Sequence, residues 1–208
     1  METLEAIASR QTIRQFDDRP VSQEEVAILI RAGFAAPSNN HLRQWHFLSL
    51  VDLDRRRQLL DQVIHPLDRK GSQKVIDNWG MQDATQREMY LDAIPLQYSM
   101  LLSAPVLLIP LFDQLGSVLH PETLSGLNAF ASIWCCIENI LIAAADQGLF
   151  GVTRIPFPEE SKIVKEALHI PATFEFPCWL ALGYPAPQAR RAQQIAIDPL
   201  SRLHIDVW

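Results

Sequence analysis

The longest helical pattern in the chain is SGLNAFASIWCCIENILIAAADQ, residues 125–147. Its large apolar side chains recur at the spacings of one helix face, at Phe130, Ile133, Trp134, Ile137, Ile140, Leu141 and Ala144. Gly148 follows at the position where a glycine commonly ends a helix. Glu138 and Asn139 interrupt the apolar stretch 129–145, so the pattern indicates a buried core helix rather than a membrane span.

Short apolar runs on both sides of this helix predict buried strands. They occupy residues 46–51, 105–112 and 176–182, and the last of them ends at Gly183-Tyr184-Pro185. Long helical spans separate these runs. The order of elements therefore predicts an α+β or α/β protein with about four strands.

Five further segments carry helical patterns. Four of them are residues 3–9, residues 53–64, residues 83–100 with a break at Pro95, and residues 159–168. The fifth is a helix that begins at the capping box of Ser22 and Glu25 and stops near Pro37. The run Arg55-Arg56-Arg57 is expected on the solvent face of its helix. Residues 65–80 are polar and have no clear period, so we expect little structure there. Residues 114–123 are expected to form a loop.

Length, charge and cysteine content limit the classes of function. The 208 residues suit a single domain, 1–208, whose apolar tail, residues 186–208, is expected to pack on a partner subunit. A net charge of −6 argues against general binding to nucleic acid or to an anionic membrane. Cys135, Cys136 and Cys178 are too few for a disulfide framework, and we expect reduced core thiols in a cytoplasmic protein.

Arg10, Gln11, Thr12 and Arg14 form a polar cluster directly after the first helix. Guanidinium groups bind phosphate through charge-assisted, bidentate hydrogen bonds, and a threonine hydroxyl adds another donor. The cluster is therefore a candidate anion site, with a solvated basic turn as the alternative. Arg190 and Arg191, near the C-terminus, are either further phosphate ligands or an exposed pair.

Two loops are candidate ligand-binding segments. Residues 36–45, APSNNHLRQW, lie between a helix and a strand, and their amides and Arg43 could bind the edge of a heterocycle; an Asn-rich turn is the alternative. Residues 148–158, GLFGVTRIPFP, contain two glycines that would let the backbone approach a flat ligand, with a helix cap and loop as the alternative. No histidine has metal-ligand spacing, and the sequence has no P-loop, GxSxG or GxGxxG motif.

Taken in order, these segments resemble the FMN-dependent nitroreductase family over nearly the whole chain. The similar stretches are IASRQTIRQF at 7–16, APSNNHLRQW at 36–45, APV at 104–106, EN at 138–139 with AA at 143–144 and GL at 148–149, ALGYP at 181–185, and PLSRLHIDVW at 199–208. Within this pattern His41, Arg43 and Gln44 replace the Asn, Gln and Pro of the family. The resemblance implies an α+β fold with a central, mostly antiparallel sheet of four to five strands. It also implies an intertwined homodimer that exchanges the C-terminal arm 186–208.

The resemblance also implies an FMN site at the subunit interface. The phosphate would be bound by Arg10, Thr12 and Arg14, together with Arg190 or Arg191. The loop from Pro37 would approach the ring from the other subunit, and the backbone of residues 153–156 would lie near N5. The expected cofactor-binding residues are Arg10, Gln11, Thr12, Arg14, Pro37, Ser38, Asn39, Asn40, His41, Arg43, Thr153, Arg154, Ile155, Pro156, Arg190 and Arg191.

The function implied is that of an oxidoreductase in which NADH or NADPH reduces FMN and a flat acceptor, such as a nitroaromatic or a quinone, is then reduced in the same pocket. The cofactor carries the chemistry, so no catalytic side chain and no metal are expected. A cation at Arg43 near the flavin would raise its reduction potential. The alternatives are a flavin carrier or sensor without turnover, and a relative that dehalogenates a substrate or rearranges its flavin.

Overall fold

An antiparallel sheet of five strands organises the fold. In this computed structural model, which describes residues 1–114, 116–191 and 193–208, the strands are β1 (Trp45–Ser49), β2 (Val106–Asp113), β3 (Phe150–Arg154), β4 (Phe174–Glu175) and β5 (Trp179–Gly183). The order is β1-β2-β5-β3, with β4 paired to β2, so β1 and β3 are opposite edges of the main path. Leu115, in the predicted loop, and Ala192, in the predicted arm, lie outside the described residues.

Eight α-helices surround this sheet in the described part of the chain. They are α1 (Thr3–Ser9), α2 (Gln23–Phe34), α3 (Leu53–Val63), α4 (Arg69–Asn78), α5 (Ala84–Ala93), α6 (Gln97–Ser103), α7 (Asn128–Asp146) and α8 (Pro158–Ala167). The capping box at the start of α2 forms as predicted: the Glu25 amide donates to Ser22 Oγ at 3.2 Å, and the Ser22 amide donates to Glu25 Oε2 at 2.7 Å. The predicted break at Pro95 separates α5 from α6. The α+β class and the mostly antiparallel sheet are confirmed.

The two faces of the sheet bury two separate cores. On β2, Leu107, Ile109 and Leu111 point to one face and Val106, Leu108 and Phe112 to the other, because successive side chains of a strand alternate. The first face packs against α3, α6 and α8, and the second packs against α2 and α7. Helix α7 has the length and hydropathy of a membrane span, but its apolar side is buried in the second core, with Ile133, Ile137 and Ile140 at most 1% exposed. The position of α7 is thus that of a core helix.

Two elements differ from the sequence prediction. Residues 65–80, expected to be largely unstructured, contain α4, whose start is capped by Asp68 accepting from the Gly71 amide at 2.7 Å. Its buried face is short, with Ser72 and Ile76 as its fully buried residues, which explains the weak apolar period. Residues 150–154, expected in a loop, form the edge strand β3. Gly151 gives close packing within the sheet there, because a Cβ would lie 2.5 Å from Leu182 Cδ2.

Two side-chain predictions are wrong in part. Arg56 is buried rather than exposed, and its guanidinium donates to the main-chain oxygens of Leu50, Leu102 and Ala104. Cys136 and Cys178 are buried thiols as expected, and burial raises the pKa of Cys136 to about 12. Cys135, however, is exposed on α7, because it lies one position off the buried face.

Candidate functional site

A cavity of about 620 Å³ lies beside the end of β3, on the face of the sheet that packs against α3, α6 and α8. Its floor is formed by Met100 and Val152, and one wall is the segment from Thr153 to Phe157. The rest of the lining is mainly apolar and aromatic, and includes Val63, Ile64, His65, Pro66, Leu67, Val75, Trp79, Tyr90, Ala93 and Ile94. This volume and lining are typical of a small-molecule site, in which apolar walls accompany a few polar groups.

A second cavity, of about 270 Å³, adjoins the first and is lined by both arginines and carboxylates. Arg14 lines both cavities, and Arg190 and Arg191 line the smaller one. Burial lowers the pKa of the Arg14 guanidinium. Within the described residues no carboxylate lies at ion-pair distance from Arg14, whose recorded polar contact is a weak one from Nη2 to Met89 Sδ at 3.8 Å. A half-buried cation without an anionic partner is the feature expected of an anion-binding residue.

Carboxylates also border the smaller cavity. Glu88 and Asp92 of α5 are among its lining residues. Asp92 accepts from Arg190, and Arg69 bridges Asp92 at 3.2 Å and Glu88 at 2.7 Å. The exposed Arg190 thus has a carboxylate partner in this structure, and Arg14 has none.

The wall formed by residues 153–156 rests on a buried polar network. Arg154 is 9% exposed, and its guanidinium turns inward to Glu160 of α8 and to Gln97 of α6, the latter through a 2.9 Å bond from Nε to Oε1. The Arg154 side chain therefore serves the protein interior, while its backbone and neighbours border the cavity. Pro156 has no backbone N–H and therefore cannot donate a main-chain hydrogen bond to a ligand.

Arg10, Gln11 and Thr12 do not line either cavity. Arg10 pairs with Glu138 of α7, with 3.3 Å between Nε and Oε1, and Thr12 forms a bridge to Gly151 that extends the sheet beyond β3. The buried Oε1 atom of Gln11 has no hydrogen-bond partner among the described residues. The structure thus brings Arg14, Arg190 and Arg191 together but separates Arg10 from them.

The loop of residues 37–44 stands at a different place. It precedes β1, which is the sheet edge farthest from β3, and it lies on the face of the sheet that packs against α7. There the Asn39 amide donates to Ser132 Oγ of α7 at 3.0 Å. Gln44 Nε2 donates to Asp113 Oδ2 at 3.3 Å. Ser38, Asn39 and Arg43 line a small cavity of about 40 Å³ there. Within one chain, this loop does not reach the larger cavities.

The same loop carries backbone strain. Asn40, His41 and Arg43 all have positive φ, at 53°, 57° and 47°. Such conformations cost about 1–3 kcal/mol each where the residue is not glycine, and they concentrate at functional sites. The Arg43 amide donates to Ser38 Oγ at 3.1 Å and holds the loop closed. The strain supports a functional role for residues 37–43, although they lie apart from Arg14.

Several residues of the larger cavity were missed from the sequence. His65, Trp79 and Tyr90 line it, and the rings of Trp79 and Tyr90 meet edge to face at 5.4 Å between centroids. They belong to the segment around α4 and α5 in which apolar periodicity is weak. Glu160 carried no motif at all. No group of three metal-ligating side chains occurs within residues 1–114, 116–191 and 193–208.

Comparison with known proteins places this geometry in a family. The model of the "Nitroreductase family" matches residues 7–184. A protein of Archaeoglobus fulgidus, provisionally named NADH dehydrogenase/NAD(P)H nitroreductase, is 31% identical over 100% of this chain and 99% of its own. An iodotyrosine deiodinase of Nematostella vectensis is 24% identical over 90% of this chain and 69% of its own.

Solved structures agree with this fold. An iodotyrosine deiodinase bound to FMN and 3-iodo-L-tyrosine matches with a TM-score of 0.74 at 16% identity over all of both chains. A Bacteroides thetaiotaomicron protein, provisionally named NADH dehydrogenase/NAD(P)H nitroreductase, matches with a TM-score of 0.70 at 20% identity over 99% of this chain and 98% of its own. At these identities the likeness concerns the fold, and the family match covers most of the chain. The chain belongs to the nitroreductase family of oxidoreductases.

Proposed function

We propose that the protein is an FMN-dependent NAD(P)H oxidoreductase that reduces a flat aromatic acceptor. The observation that carries this proposal is the pair of adjoining cavities with the unpaired Arg14 between them. One cavity has the charge for a phosphate group and the other has the volume for a planar ring. The family membership and the FMN-bound structure of similar fold support the same cofactor.

The smaller cavity suits the phosphate of FMN. Arg14, Arg190 and Arg191 could bind the phosphate through charge-assisted hydrogen bonds, beside the carboxylates of Glu88 and Asp92 that line the same cavity. In this arrangement Arg190 would exchange its carboxylate partner Asp92 for the phosphate. Arg14 would need no exchange, since it has no such partner among the described residues.

The larger cavity suits a tricyclic ring. Its apolar walls would exclude water from the ring, and the backbone at Thr153 and Ile155 would border one edge. Bound FMN would supply hydride transfer from NADH or NADPH to the acceptor, through its N5 position. The chain's own groups would bind and orient the reactants, with no side-chain acid or base.

We also propose that the site is completed by a second copy of the chain. The strained loop 37–43 would reach the ring from the partner subunit, since within one chain it lies at the other edge and face of the sheet. The C-terminal arm 186–208 would cover that partner. The large apolar side chains in the described part of this arm are exposed here, from Ile195 at 44% to Trp208 at 100%. We further propose a cytoplasmic protein that binds neither nucleic acid nor membranes.

Reductive dehalogenation of an aromatic ring is a second candidate reaction. Proteins named iodotyrosine deiodinase recur among the relatives, and a solved structure of similar fold is that of an iodotyrosine deiodinase bound to FMN. Among the described residues, those that line the larger cavity include no Asp or Glu, and Glu88 and Asp92 line the adjoining smaller cavity instead. A halogenated ring without an ammonium group would suit the cavity better than a halotyrosine.

The test begins with the purified full-length protein. We expect it to retain FMN and to lose the visible absorbance of oxidised flavin when NADH or NADPH is added without oxygen. The reduced protein is then mixed with a nitroaromatic, a quinone, a halophenol or 3-iodotyrosine, and the return of absorbance is followed. Protein that binds no FMN contradicts the proposal, and flavin that nicotinamides cannot bleach favours a carrier or sensor.

A further inference from the structure

The cavity wall at residues 153–157 is supported from behind by a buried ion pair. Glu160 of α8 is 4% exposed and accepts from the Arg154 guanidinium. The same carboxylate accepts from the indole Nε1 of Trp179 at 2.6 Å and from the Phe157 amide at 3.4 Å. Glu160 therefore binds both ends of the turn that forms the wall.

The network also joins the elements around the cavity. Gln97 of α6 lines the cavity and accepts from Arg154 Nε at 2.9 Å, and Trp179 lies on β5, directly beside β3. Arg154 and Glu160 thus connect α6, β3, β5 and α8. A shift of either side chain would move Gln97 or the 155–157 backbone, both of which face the ring position proposed above.

A buried ion pair is not needed merely to hold these elements together. Replacing a buried ion pair with apolar side chains is often neutral or stabilising, so such a pair is weak support for a role in stability alone. Arg56 provides a comparison inside the same protein. It is also buried, it donates to the main-chain oxygens of Leu50 and Ala104, and it lines neither cavity.

We propose that Arg154 and Glu160 are positioning residues for the flavin ring. They fix the 155–157 backbone and Gln97 against the ring plane, and they act on bound flavin without touching it. This proposal rests on the proposed function, because it requires a flavin in the larger cavity. It differs from the phosphate site in one measurable respect: disturbing the ring wall should weaken FMN and riboflavin equally, since both carry the same ring.

The experiment compares Arg154→Lys and Glu160→Gln with Arg56→Lys in the full-length protein. FMN and riboflavin affinities are measured by fluorescence quenching, and amide hydrogen exchange at Phe157 is measured without flavin. We expect both wall variants to weaken the two flavins by the same factor, about two- to thirtyfold, and to speed exchange at Phe157. Arg56→Lys should lower stability and leave both affinities and the Phe157 exchange unchanged.

The double variant Arg154→Met with Glu160→Met covers the case in which a single variant fails to fold. Removing both charges together should restore stability but not flavin affinity. Affinity that recovers along with stability would overturn the positioning role, as would wall variants that bind both flavins like the wild type. A wild-type protein that binds neither flavin would instead overturn the proposed function. The two failures are therefore distinguishable.

Discussion

At the scale of the residue, Arg14 is the side chain with the most specific expected role. It lies half buried between the two cavities and has no carboxylate partner in the described part of the chain. We expect Arg14→Ala to weaken FMN binding about ten- to a hundredfold, because a charge-assisted hydrogen bond contributes about 1.5–3 kcal/mol. Riboflavin lacks the phosphate and should lose far less.

Titration of the apo protein with both flavins checks this expectation. Arg10→Ala serves as the matched control, since Arg10 pairs with Glu138 and lines neither cavity. Its FMN affinity should stay close to the wild-type value. Equal losses of FMN and riboflavin in Arg14→Ala would mean that Arg14 does not act through the phosphate, since riboflavin lacks that group.

These residues also show how far sequence can identify a site. Arg14, Arg190 and Arg191 were recognised because cationic clusters are visible in the sequence, and the structure brings them together. Glu160, the carboxylate that pairs with Arg154, was not recognised from the sequence. Glu160 lies in an ordinary helix start, and its burial depends on where α8 packs, which no local pattern reports. Arg56 was misassigned for the same reason: a charged run predicts exposure on average, and tertiary packing decides each case.

At the scale of the element, the contact between α2 and α7 depends on Gly33. A Cβ at this position would lie 2.8 Å from Ile140 Cγ1 and 2.9 Å from Cys136 Sγ, both on buried residues of α7. We expect Gly33→Ala to lower the free energy of unfolding by about 1–2 kcal/mol, because the overpacking exceeds the gain in helix propensity. Urea denaturation measures the change.

Gly126→Ala is the control for this packing argument. Gly126 lies in a short 3₁₀ turn before α7, and the nearest atom to an added Cβ is Pro121 Cβ at 3.7 Å. Its free energy of unfolding should stay within about 0.5 kcal/mol of wild type. If Gly33→Ala also leaves the free energy of unfolding unchanged, α2 and α7 can move apart without cost. Their close approach at Gly33 is then not a determinant of the fold.

Elements were predictable where one face is strongly apolar. Helix α7 and strand β2 follow directly from their patterns, and the fold class follows from their order. Helix α4 and strand β3 did not follow. Most side chains of α4 are polar, so its apolar period is weak. Strand β3 contains a glycine and an arginine within five residues, and it exists because β5 provides its hydrogen-bonding partners.

At the scale of the whole molecule, the described residues of the arm and α1 expose large apolar side chains. Leu4 is 80% exposed, Ile205 76% and Val207 77%. We expect a dimer that persists at low concentration and buries more than the ~2,000 Å² at which permanent interfaces begin. The double change Ile205→Asp with Val207→Asp should weaken the dimer and release FMN together, because the proposed site needs both subunits.

Light scattering with absorbance detection follows mass and flavin content in one experiment. The exposed pair Arg55→Ser with Arg57→Ser makes a matched surface control, since both residues lie on α3 away from the arm. This control variant should remain a dimer and should retain its bound flavin. A folded, flavin-loaded monomer of the wild-type chain would contradict the shared site.

The separation of Arg14 from the loop 37–43 has a genetic consequence. If each site takes Arg14 from one subunit and the loop from the other, two defective alleles can complement each other. Subunits altered at Arg14, mixed with subunits altered in the loop, form hybrid dimers with one intact site and one doubly altered site. If equal amounts of the two variant subunits pair at random in a two-fold symmetric dimer, about one quarter of all sites would be intact. A dimer of either variant alone would have no intact site.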